Sequence, residues 1–86
     1  MNARQIIGWN LRKLRVAKGF SQERLALESN VDRSYVGRVE RGTENVTIST
    51  LEALADALQV TVSELFEVPD KDALPPQPMK AGRKYK

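Results

Sequence analysis

Apolar residues recur along most of the chain at intervals of three and four, the spacing that lines one face of an α-helix. Ile7, Leu11 and Leu14 follow it between Ala3 and Lys18, with Arg12, Lys13 and Lys18 turned outward and Gly19 placed to stop the helix. A second helix is predicted after Ser21, a good N-cap, with Glu23 in its first turn and Leu25 and Ala26 facing inward. It ends near Ser29, where Asn30 tolerates a left-handed turn. A third follows the N-cap candidate Asp32 and runs to Arg41, with Val36 and Val39 as its apolar side and Gly42 closing it. After Thr47, Leu51, Leu54, Ala55 and Leu58 mark a fourth, and Thr61-Val-Ser-Glu64 has the form of a capping box opening a fifth with Leu65 and Phe66. No strand pattern of useful length appears. The predicted fold class is all-α, with five short helices.

All four prolines lie in the last eighteen residues, from Pro69 onward. Residues 1–68 are therefore read as the folded unit and 69–86 as a polar, Pro-rich, basic tail, ending Lys80-Ala-Gly-Arg-Lys-Tyr-Lys86, that cannot bury enough surface to order itself. No apolar run approaches the roughly 18 residues that a membrane crossing needs. The start, Met1-Asn2-Ala3-Arg4, has neither a signal-peptide pattern nor a glycine for myristoylation. The expectation is a cytoplasmic protein with no membrane association.

Chemistry is excluded more sharply than it is indicated. With 86 residues there is one modest core, and with no cysteine and no histidine there are no disulfides, thiol nucleophiles, imidazole bases or Cys/His zinc sites. The carboxylates are scattered over a cationic domain, so no catalytic constellation assembles. Neither metal nor cofactor is expected, and no small-molecule substrate.

Charge changes the picture in a different direction. Residues 1–42 carry nine Lys and Arg against four Asp and Glu, residues 43–68 carry five acids and no Lys or Arg, and the tail carries five basic and two acidic residues. A basic half backed by an acidic one fits a nucleic-acid face with a second surface behind it, although a solvated charge pattern without a partner fits too.

Helices two and three are separated by only about three residues around Asn30-Val31-Asp32, and a connection that short forces a steep crossing of the helix-turn-helix kind. Ala26 is small enough for close approach. The outward face of helix three then presents Arg33, Ser34, Gly37 and Arg38, flanked by Tyr35 and Arg41. Arginine suits bidentate contact with guanine in the major groove. Gly37 would bring the helix backbone close to the groove floor, at a cost of about 1 kcal/mol relative to alanine.

Ser21-Gln-Glu-Arg-Leu-Ala26, Val36-Gly-Arg-Val-Glu-Arg-Gly42 and Leu51-Glu-Ala-Leu-Ala-Asp-Ala-Leu58 together resemble the lambda-repressor-like (Xre-type) helix-turn-helix regulators. The likeness covers about residues 4–66, and the size is similar to that of the controller proteins of restriction–modification systems. The resemblance implies a five-helix DNA-binding domain in which Arg33, Ser34 and Arg38 read bases. It places Ser21 and Gln22 at the start of helix two, Tyr35, and Thr43 and Asn45 in the loop after helix three, at the DNA backbone. It also implies an ion pair between Arg15 and Glu40, and dimer contacts through Val60, Val62, Leu65 and Phe66. One departure is Gly37, where the family carries a larger residue, which leaves base reading to the two arginines.

Plainer readings stand beside these. Arg33 and Arg38 are also ordinary surface arginines, Tyr35 a residue packed on helix two, Gln22 a helix cap, and Leu65 and Phe66 core residues. Trp9 is a core or interface aromatic. The function expected is a homodimeric, sequence-specific transcriptional regulator on a pseudo-palindromic operator of double-stranded DNA, on the nucleoid, with the acidic segment suited to dimer contacts and to RNA polymerase. The alternative is an antitoxin-like interaction protein that binds a toxin through the tail and DNA only secondarily.

Overall fold

A computed structural model describes residues 1–70, so the expectations for the rest of the tail lie outside the described residues. Four α-helices follow one another: α1 (Ala3–Lys18), α2 (Gln22–Ser29), α3 (Arg33–Glu40) and α4 (Ile48–Leu58). Among the described residues there is no strand. The chain's turn chemistry sets these boundaries. Asn2 and Gln5 form a reciprocal capping box at the start of α1, and Gly19 ends it in the left-handed region at φ 81°. Ser21 and Thr47 accept from the backbone N–H groups of Arg24 and Thr50 at the starts of α2 and α4. Asp32 sits at the N-cap of α3 in an extended conformation, but its side chain makes no capping hydrogen bond, contrary to the expectation for that residue.

The fifth element is a correction to the predicted count. The Thr61–Glu64 capping box forms, yet the segment Val62–Phe66 is a 3-10 helix of five residues rather than an α-helix. Pro69 limits how far this segment can run as helix. In a continuing α-helix the Leu65 carbonyl would accept from the N–H of residue 69, and proline has none. Proline also disfavours helical backbone at residue 68. The Asn10 amide, buried in α1, donates instead to the carbonyls of Leu65 (3.0 Å) and Glu67 (2.7 Å), pinning the chain end onto α1.

One core joins all five elements. Leu11, Leu25, Val36, Val39, Leu51, Leu54 and Leu65 are essentially inaccessible, with Ile7, Ala26, Ala55 and Leu58 around them. A fully buried leucine contributes about 1.5–3 kcal/mol, so this cluster is the main source of cohesion. Arg12, read from the sequence as outward, is half-buried, and its Nε is shielded without a partner.

Gly8 fixes how α1 meets α3. A Cβ at this position would lie 2.5 Å from the Val39 carbonyl oxygen and 2.7 Å from that of Glu40. Only glycine lets the middle of α1 rest on the last turn of α3. Gly8→Ala should therefore lower the free energy of unfolding by about 1–3 kcal/mol, despite the gain in helix propensity, as measured by chemical denaturation. Unchanged stability would show that the two helices can separate without cost.

Candidate nucleic-acid interface

Three residues, Asn30, Val31 and Asp32, connect α2 to α3. Asn30 takes the left-handed conformation (φ 61°), and the Val31 N–H returns to the Ala26 carbonyl at 3.0 Å, which closes α2 and redirects the chain at once. Ala26 is buried beneath α3 in the shared core. At 3.6 residues per turn, Val36 and Val39 fix the buried side of α3 and leave Ser34 and Arg41 opposite, with Arg33 and Arg38 to either side.

The orientation of α3 rests on a buried polar cluster at its C-terminal end. Arg15 Nε donates to Glu40 Oε2 at 2.6 Å and Arg15 Nη2 to Glu40 Oε1 at 3.1 Å, with both side chains about 95% buried. Arg15 Nη1 donates to the Phe20 carbonyl (2.8 Å), and Gln22 Nε2 donates to Glu40 Oε1 (3.0 Å). Glu40 thus ties α1 and the first residue of α2 to α3, while Arg15 also holds the α1–α2 connection. Both members of the pair have several hydrogen bonds, the condition under which a charge pair survives burial.

Around this anchor, the candidate contacts are placed unequally. Arg33 and Ser34 are exposed on the first turn of α3, and Asn45 is exposed in the following loop. Ser21 is exposed but already caps α2. Gln22 is half-buried beside Glu40. Thr43 donates its hydroxyl to the Arg38 carbonyl (3.1 Å), which shapes the loop. Arg38 donates from Nε to Glu44 Oε1 at 2.8 Å, and its guanidinium carbon lies 5.7 Å from the centre of the Tyr35 ring. Tyr35 itself is half-buried against the core.

Gly37 departs from its predicted place on the open face. It is buried, and a Cβ there would stand 3.3 Å from Arg41 Nη1 and 3.8 Å from Gln22 Oε1. The missing side chain makes a notch covered by the Arg41 guanidinium and the Gln22 amide, so Arg41 and not the Gly37 backbone occupies that part of the surface. A glycine four residues before an arginine on the same helix face was the available signal.

The surface at the far end of the chain also needs one correction. Leu65 has no exposed area and belongs to the protomer's own core, so its side chain is not available to a second copy. Val60 and Val62 are half-buried against that core, whereas Phe66 is 43% exposed. Ile48 and Val68 are also large, exposed apolar residues, and neither is apparent from the helical spacing. Ile48 and Phe66 line one groove with Val46. Among the described residues, no group of three or more acidic, His or Cys side chains is placed to hold a metal ion, and no helix is long and apolar enough to cross a membrane.

A small all-helical domain that displays the arginines of one short helix on a buried mount is the class that these features define. Residues 11–65 match the helix-turn-helix family HTH_3, and the chain belongs to that family, in its lambda-repressor-like (Xre-type) branch. It is 45% identical over 66 residues to control protein C.SmaI from Serratia marcescens, a match covering 77% of this chain and 79% of that protein. A hypothetical transcription factor from Neisseria meningitidis is 42% identical over 74 residues, covering 86% of this chain but 63% of the Neisseria protein. Among solved structures, the restriction–modification controller protein C.AhdI from Aeromonas hydrophila superposes with a TM-score of 0.72 at 52% identity, over 73% of this chain and 96% of that one.

Glu40→Ala should leave Arg15 charged and buried without its partner. Unfolding free energy should fall by about 3–5 kcal/mol. Thermal and chemical denaturation measure this, and an unchanged midpoint would remove the ion pair from its anchoring role.

Proposed function

We propose that the protein is a homodimeric transcriptional regulator in which α2 and α3 form the helix-turn-helix and α3 enters the major groove. The single observation that carries this reading is the display of α3, fastened through Glu40 at one end and exposing Arg33, Ser34 and Arg38 away from Val36 and Val39. Arg33 and Arg38 supply guanidinium forks that match guanine, and Ser34 lies between them. Gln22, at the amino end of α2 and held through one amide N–H by Glu40, would offer its second amide N–H and nearby backbone N–H groups to a phosphate. Ser21, Tyr35, Thr43 and Asn45 complete the backbone contacts.

Dimerisation is assigned to the apolar surface around Val60, Val62 and Phe66, extended by Ile48 and Val68. Two copies paired there would read half-sites about one helical turn apart on a pseudo-palindromic operator. The exposed acids Glu52 and Asp56 of α4 are the surface proposed for RNA polymerase, and the protein would act on the nucleoid in the cytoplasm. The relatives named above are control proteins and a transcription factor, which gives the toxin-binding alternative no support.

Selection of sites from a random duplex pool at near-physiological salt tests the proposal. A two-fold symmetric motif with half-sites about a turn apart is expected; binding without enrichment would reject sequence-specific regulation.

Two substitutions then separate the contacts. Arg38→Ala should weaken the selected site by about 1–3 kcal/mol and random duplex far less. Gln22→Ala should weaken both about equally, measured by fluorescence anisotropy. A changed sequence preference in the Gln22 variant would contradict its phosphate role.

A further inference from the structure

An acidic residue on a surface meant for DNA is an electrostatic liability, because it faces phosphates. Glu44 is such a residue. It lies in the loop after α3, between Thr43 and Asn45, and its carboxylate accepts from Arg38 Nε at 2.8 Å. The pair is too exposed (44% and 27% of the side chains) to contribute much to stability. Its consequence lies in the shape it gives Arg38.

Arg38 is held from two directions. The backbone N–H and hydroxyl of Thr43 both donate to the Arg38 carbonyl at 3.1 Å, folding the loop back over the end of α3. That fold brings the next residue, Glu44, to the Arg38 side chain, and the Tyr35 ring centre lies 5.7 Å from the guanidinium carbon. A guanidinium offers one N–H at Nε and four at the two Nη atoms. With Nε engaged sideways by Glu44, the two Nη groups remain at the tip of the fork. Guanine presents O6 and N7, two acceptors on one major-groove edge, and no other base offers that pair. Holding a long side chain in this orientation before binding also removes part of the ordering cost.

We infer that Glu44 is a specificity-determining positioning residue, which presents Arg38 end-on to guanine at the cost of repulsion from the DNA backbone. The inference rests on the proposed reading of Arg38 as a base contact, and the test separates the two. Glu44→Ala, Glu44→Gln and Arg38→Ala are compared with the unaltered full-length chain. Each is titrated against the selected duplex, a duplex changed from guanine at the position whose preference Arg38→Ala abolishes, and a random duplex.

Glu44→Ala should lose about tenfold of the discrimination for guanine, yet bind random duplex more tightly because a negative charge has left the interface. Glu44→Gln retains an acceptor for Nε and should recover most of the discrimination, and the melting temperature should hardly move in either. If Glu44→Ala discriminates like the unaltered chain while Arg38→Ala does not, the inference fails and the base contact stands. Uniformly weaker binding with lowered melting temperature would assign Glu44 a structural role and equally overturn it. If Arg38→Ala keeps every base preference, both readings fail.

Discussion

The candidate recognition surface is mounted on one buried ion pair. Arg15 and Glu40 are nearly inaccessible, and the carboxylate of Glu40 is shared with Gln22. Removing two charges from water is expensive, and their mutual attraction recovers that cost only with good geometry and further hydrogen bonds. The Phe20 carbonyl and the Gln22 amide supply those bonds. The polar cluster fixes where the ends of α1, α2 and α3 stand relative to one another, something that leucines and valines, being non-directional, do less well.

Other local features follow from that constraint. Gly8 lets α1 lie directly on the Val39 and Glu40 carbonyls, so the segment bearing Glu40 is held against α1. Gly37 leaves the notch under Arg41 and Gln22. Asn10 then fastens the 3-10 helix to α1, which sets Phe66 at the surface and Leu65 beneath it. The basic face and the apolar face are thereby both fastened to α1, one through the Arg15 charge, the other through the buried Asn10 amide.

The helices were legible because their ends carry strong local signals. Ser21, Thr47 and Gly19 each act through the backbone of their own turn, so spacing along the chain suffices to find them. The Arg15–Glu40 pair spans 25 residues, and family resemblance rather than residue spacing suggested it. Gly37 looked like open surface because the Arg41 side chain that covers it has no signature in the apolar pattern. Leu65 and Phe66 are adjacent and similarly apolar, and only the packing of the 3-10 helix shows that one is core and the other exposed. Asp32 has the chemistry of a cap and the backbone of one, but its side chain is not used as one.

If the buried pair positions the DNA face rather than supplying stability, its two roles are separable. Replacing both members at once, Arg15→Met with Glu40→Leu, removes the charges while keeping the interior filled. Stability of this double variant should stay within about 1–2 kcal/mol of the unaltered chain. Its affinity for the selected duplex should fall at least tenfold, because Gln22 loses the partner that orients it. A double variant that folds as well and binds as tightly as the unaltered chain would contradict the dependence of recognition on this pair.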